Sequence, residues 1–407
     1  MSTLSPNVRP PSLSERTLSD SDDFSLVLGG PLYQVFRRAH LTGDALELVR
    51  RRLVVLALFA WLPLLALSVW ERHAWGGTTI PFLRDVDVQV RFLVALPLLV
   101  IAELVVNQRM RAVVRQFLER KLIPEVSRSQ FDAAIASAMR LRNSVSAELL
   151  LIVLVYGGGV LLLWRRTVAL DVPSWYGVTI DGTLHPTIAG WWFGLVSLPL
   201  FQFLLIRWYF RLLIWARFLW QVSRIELALI PTHPDRCGGL GFLANLCYAF
   251  MPILIAQGAL LAGMIANRIF FTGAKLTEFK VDVLALVAAV VLMVLGPLFA
   301  FSAKLERAKR AGLREYGTLA QRYVREFDTK WLRGGAPPDE PFVGSADIQS
   351  LADLGNSFDV IKEMRIVPFN VRTVFELGVV TLLPIAPLLL TMIPLEELLD
   401  RLLKVIF

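Results

Sequence analysis

Seven apolar runs dominate this chain and restrict its fold more than any other feature. They lie at about 53–70, 92–106, 147–164, 191–211, 241–266, 281–303 and 374–393. A run of about 17–25 apolar residues, coiled as a helix, spans a hydrocarbon core of roughly 30 Å. The runs therefore predict an all-α, polytopic transmembrane bundle of about seven spans, and the 407 residues are not to be divided into soluble domains.

Lys and Arg set the expected orientation. With the N-terminus in the cytoplasm, the inner segments carry 32 of them and the outer segments 10. The C-terminus is then periplasmic. This asymmetry also accounts for the net charge of +8, so the basic surplus is no sign of a nucleic-acid partner.

Four regions follow. Residues 1–30 read as a disordered tail, rich in Ser, Pro, Asp and Arg near its start and without a signal-peptide core. Residues 31–303 hold spans one to six with cytoplasmic helices. Residues 304–372 read as a small helical cytoplasmic module, and 373–407 as span seven followed by an amphipathic helix.

The stretch 212–230 is apolar enough for an eighth span. The hairpin before it would be only "RWYFR", and a further crossing would put the 12 basic residues of 304–372 outside. It is read as a continuation of span four. Span six likewise runs on to about 332 with an apolar stripe of Leu313, Tyr316, Leu319, Tyr323, Phe327 and Trp331. Ser345 caps a second helix with the stripe Ile348, Leu351, Leu354, Phe358 and Ile361, and the two stripes are expected to cover each other. Ser129 and Asp132 suggest a capping box, and Asp181-Gly182 suggests a hairpin.

The segment "IPTHPDRCGGLGFL", Ile230–Leu243, is the densest cluster of reactive residue types. Two readings fit it. As an anion cradle, Arg236 supplies charge and Gly238 and Gly239 supply backbone N–H donors, at the N-terminal end of span five. As a structural turn, Thr232 and Asp235 form a capping box around Pro234, and the glycines permit close packing. His233, Asp235 and Cys237 lack a partner that completes a nucleophile–base set, and Cys237, Cys247 and His233 lack a fourth zinc ligand. No catalytic residue, metal or cofactor is assigned, and an enzyme is not the leading expectation.

Glu103 is the one acidic residue well inside a predicted span. It reads either as a structural ion-pair partner or as a gate. Arg207, Arg211 and Arg224 join Arg236 as candidate anion-binding cations, with His233 and Asp235 as candidate polar residues beside Glu103. Prolines break six of the spans, and Gly157-Gly158-Gly159 sits in the other.

The stretches "LPLFQFLLIRWYFRLLIWARFLWQVSRIELALIPTHPDRCGGLGFL" and "SADIQSLADLGNSFDVIKEMRIVPF" resemble a family of bacterial multi-spanning inner-membrane proteins over roughly residues 30–400. The resemblance implies a compartment. It implies no activity and carries over no functional residue. The leading expectation is a transporter or channel for an anionic solute or lipid headgroup. The other is a non-transporting scaffold or signalling protein that meets a protein partner through 304–372. Membrane lipids are expected partners in both, and self-association is left open.

Overall fold

The computed structural model describes residues 24–29, 49–160, 174–180 and 183–392. Among the described residues, six helices are long and apolar enough to cross a bilayer: α1 (Val49–Trp70), α2 (Val86–Glu119), α5 (Ile188–Arg224), α6 (Phe242–Thr272), α7 (Leu276–Leu332) and α9 (Val371–Met392). The third apolar run forms a shorter helix, α4 (Val145–Gly159), and its continuation falls outside the described residues. Among the described residues, two helices lie outside the apolar runs, α3 (Arg128–Arg142) and α8 (Ala346–Lys362).

Prolines account for most of the irregular backbone. A proline has no N–H, so the carbonyl one turn earlier loses its partner and the helix changes pitch. A wide π turn at Arg91–Ala95 precedes Pro97, and another at Phe193–Ser197 precedes Pro199. Tight 3-10 turns lie before Pro252, around Pro297 and around Pro387. Pro63 sits inside α1 without interrupting it.

α5 runs unbroken from Ile188 to Arg224, so no hairpin forms at "RWYFR". α7 is likewise continuous to Leu332 and pairs with α8. Ser345 caps α8 by accepting the Asp347 N–H at 3.1 Å. The seam between α7 and α8 closes only in part. Ile361 is buried, whereas Leu319 and Ile348 stay 51% and 43% exposed. α3 starts before Ser129, so the expected Ser129–Asp132 box does not form there. The strands β1 (Gly177–Ile180) and β2 (Thr183–Pro186) pair antiparallel, with Ile180 opposite Thr183. The predicted C-terminal amphipathic helix lies outside the described residues.

α6 is the most enclosed span: 67% of its apolar window is buried, against 44% or less in the others. Small residues explain this, because without a hydrophobic drive between helices in lipid, close backbone approach supplies the packing. At Gly258 an added Cβ would lie 1.9 Å from the carbonyl oxygen of Thr381, so α9 rests directly on the α6 backbone. Gly258→Ala is expected to cost about 1–3 kcal/mol, the usual range for overpacking a tight contact. Thermal unfolding in detergent micelles measures this, and an unchanged midpoint would mean that the two backbones are farther apart.

Polar contacts pin the ends of the helices. Asp85 caps α2, accepting the Val88 N–H at 3.2 Å, the Asn267 amide at 2.8 Å and the Trp175 indole N–H at 2.8 Å. Glu71, just past α1, accepts the N–H groups of Ile188 and Ala189 at 2.7 and 3.2 Å, placing a negative charge at the positive end of α5. At the opposite end, Phe24–Gly29 is packed into the bundle. Phe24, Ser25, Leu26 and Val27 are all buried, so this part of the expected tail is built into the fold.

Candidate functional site

The chain leaves α5 and reaches α6 through the loop that contains His233, Asp235, Arg236, Gly238 and Gly239. Arg236, Gly238 and Gly239 adopt positive φ angles of 54°, 61° and 98°. That backbone path gathers successive N–H groups into a concave nest of the kind that binds anions. The nest is already filled. One Asp235 oxygen accepts from Cys237 N at 2.8 Å and Gly239 N at 3.1 Å; the other accepts from Gly241 N at 2.8 Å. His233 Nδ1 lies 2.9 Å from the same carboxylate. Burial by itself pushes the Asp235 carboxyl up, but the three N–H groups and His233 outweigh it and hold it below its usual range.

Of the two glycine donors expected to face a ligand, Gly239 therefore faces the protein's own carboxylate, and Cys237 and Gly241 rather than Gly238 supply the other N–H groups. The expected capping box is also replaced, because Asp235 reaches forward to Gly241 instead of back to Thr232. Arg236 is 54% exposed at its side chain and pairs with Glu363 at 2.7 Å. A pair so exposed contributes little. The loop serves as a docking point: Arg365 donates its backbone N–H to Arg236 O and its Nη2 to Asp235 O, each at 2.8 Å.

Arg207, Arg211 and Glu103 meet elsewhere, inside the bundle. Arg211 Nη1 lies 2.8 Å from Glu103 Oε1, and Arg207 Nη1 lies 3.7 Å from the same oxygen. Arg52, at the start of α1, binds the other oxygen, Oε2. Arg207 also reaches Glu148, in the first turn of α4, at 3.3 Å. All five side chains belong to residues at most 7% exposed. Three helices, α1, α2 and α5, thus meet at the Glu103 carboxylate, and α4 joins through the Arg207–Glu148 pair. Trp208 stacks against Arg211, with the guanidinium 4.8 Å from its ring centre, and donates its indole N–H to Leu99 O at 2.9 Å.

Two voids of about 10 Å³ flank this cluster. Each holds about one water-sized sphere. One is lined by Arg52, Glu103, Trp208 and aliphatic side chains. The other is lined by Arg142, Glu148, Arg207 and Arg211 with Leu26 and Phe210. Arg142 ends α3, and burial together with the charge of Arg211 lowers its guanidinium pKa.

The expected single cradle is therefore divided. Arg207 and Arg211 surround Glu103, Asp235 fills the glycine nest, Arg236 forms a surface pair, and Arg224 is exposed with its guanidinium 5.0 Å from the ring of Trp220. Arg52, Arg142 and Glu148 were not anticipated. Their one sequence signal is position, since Arg52 and Glu148 stand at the edges of apolar runs near the end of the bundle that also carries Glu103.

Outside the cluster the spans present apolar flanks such as Leu58, Phe59 and Leu62, 45–50% exposed, which meet lipid. This is an integral membrane protein. No family model, no curated protein and no solved structure matches it. A helical bundle hosts many activities, so the function of this chain lies in its site and not in its fold.

Proposed function

We propose that the chain is a transport protein of a bacterial inner membrane that handles an anionic solute at the guanidinium cluster. One observation carries this reading: Glu103 is held inside the bundle by Arg52, Arg207 and Arg211 together. Moving charges out of water is expensive, and apolar residues in such a place are often as stable or more so. Charged side chains within a span point to function by default. Glu103 acts here as a resident counter-charge. An entering anion takes over the Oε1 position at Arg207 and Arg211, while Arg52 retains Oε2. The excess of Lys and Arg in alternate loops supports a cytoplasmic N-terminus, which puts the cluster towards the cytoplasmic face.

A scaffold role is the second reading. The half-open seam between α7 and α8 favours it, because Leu319 and Ile348 leave apolar surface uncovered.

Reconstituted vesicles separate the readings. Purified protein is expected to release chloride, phosphate or a small carboxylate faster than empty vesicles, and Arg207→Gln is expected to cut that flux at least about tenfold, the effect of losing one charged hydrogen bond. No flux of any of the three anions contradicts transport. If an anionic lipid then co-purifies with the native chain and is lost in Arg207→Gln, the cluster holds a headgroup. If a protein co-purifies through 304–372 instead, the scaffold reading stands.

A further inference from the structure

We propose that Arg142, Arg207 and Arg211 form a second anion seat, sized for a halide and roofed by the chain's own Phe24–Gly29 segment. The proposal rests on the reading that the guanidinium cluster takes anions.

The seat is the void of about 10 Å³ lined by these arginines, Glu148, Leu26 and Phe210. Arg142 donates only to neutral oxygens among the described residues, Ser25 O at 2.5 Å and Asn143 Oδ1 at 3.0 Å. Arg211 directs Nη1 to Glu103, and its Nη2 is buried without an acceptor among the described residues. Arg207 divides its guanidinium between Glu103 and Glu148. Among the described residues, Arg207 and Arg211 share Glu103 with Arg52, Arg207 also meets Glu148, and Arg142 meets neither, so guanidinia outnumber carboxylates around a buried space where the field on a small anion is strong. The space accepts about one water-sized sphere. A halide is only slightly larger, whereas phosphate needs several times the room. The walls of Leu26 and Phe210 favour an ion that gives up its water readily.

The roof is built to stay closed and yet to open. Ser25 Oγ donates to Asn107 Oδ1 on α2 at 2.5 Å and accepts the N–H groups of Val27 and Leu28 at 3.1 and 2.8 Å. Phe24 packs on Phe218, ring centres 5.1 Å apart. Gly29 takes φ +138°, and the Arg142 guanidinium lies 2.7 Å from where a Cβ would stand. No carboxylate of the roof pairs with the arginines, so lifting it breaks one charge-assisted hydrogen bond, from Arg142 to Ser25 O, and otherwise neutral hydrogen bonds and apolar contacts. It closes the seat on the same end of the bundle as the Glu103 cluster.

The test uses the full chain in detergent micelles, with bromide replacing gluconate at constant ionic strength. Bromide is expected to raise the thermal unfolding midpoint in a saturable way. Arg142→Gln is expected to weaken the apparent bromide affinity about tenfold, the loss of one charged hydrogen bond, whereas Arg142→Lys retains most of it. The double variant Phe24→Ala with Leu26→Ala loosens the roof without touching a guanidinium, and bromide is expected to equilibrate several-fold faster in it. An undiminished response in Arg142→Gln overturns the seat, and an unchanged rate in the double variant overturns the roof. If Arg207→Gln removes anion flux while Arg142→Gln leaves the bromide response intact, the Glu103 cluster stands and the second seat falls. If neither flux nor a bromide response exists in the native chain, both fall.

Discussion

Glu103→Ala is expected to destabilise the folded bundle by about 3–5 kcal/mol, the usual cost of removing one partner from a buried ion cluster. The carboxylate satisfies Arg52 through one oxygen and Arg207 and Arg211 through the other, so its loss removes a shared counter-charge from three buried guanidinia, of which Arg207 keeps Glu148. Glu103→Gln should cost less, because the amide oxygen still accepts a hydrogen bond. A second substitution that removes one of the stranded charges, Arg211→Met, should recover part of the loss in Glu103→Ala. Reversible unfolding in mixed micelles reads all three. A loss below about 1 kcal/mol for Glu103→Ala would mean that water reaches the cluster freely and screens it.

Asp235→Ala is expected to cost about 2–4 kcal/mol. Three N–H groups lose their common acceptor, each worth about 1–3 kcal/mol when buried, with some relief because the loop is partly wet. The carboxyl is held below its usual range in the folded chain, so it binds protons less readily there than in the unfolded chain. Its contribution is therefore complete above the unfolded value of about 3.9 and declines as pH falls through the lower folded value. Asp235→Asn should keep a smaller part of the stability and lose its acid dependence. An acid-unfolding profile that is the same in native and Asp235→Asn protein would show that the nest does not depend on the charge.

Much of the fold is legible along the chain because lipid demands it. Long apolar runs need to be helical, and the shortness of "RWYFR" ruled out a hairpin. Ser345 before an apolar stripe marked the start of α8. The Glu103 cluster was legible by half. A carboxylate inside a run stands out, and Arg207 and Arg211 lie one turn apart on one face. Arg52 and Glu148 do not stand out, because charges at the edge of an apolar run ordinarily face headgroups and water. Only the packing of α1 and α4 against α2 and α5 turns them inwards. The glycine nest was legible as a set of donors but not its occupant. Arg236 adopts a left-handed conformation that a non-glycine residue rarely takes, and this reversal brings Gly239 and Gly241 back to Asp235. Phe24–Gly29 was hidden by its Ser- and Asp-rich surroundings, since the three apolar residues Leu26, Val27 and Leu28 are too short a signal to predict burial.

Transport at this cluster requires that Glu103 occupy a place that a free anion can take. The most direct measurement is the dependence of stability on added anions in Glu103→Ala, compared with the native chain. Formate or acetate, too large for the halide seat, should raise the unfolding midpoint of the variant in a saturable way and restore much of the lost stability, by linkage to the state that binds them. The native chain, with its carboxylate in place, should respond far less. Equal responses in the two proteins, or none in the variant, would contradict the claim and leave Glu103 as a purely structural tie between helices.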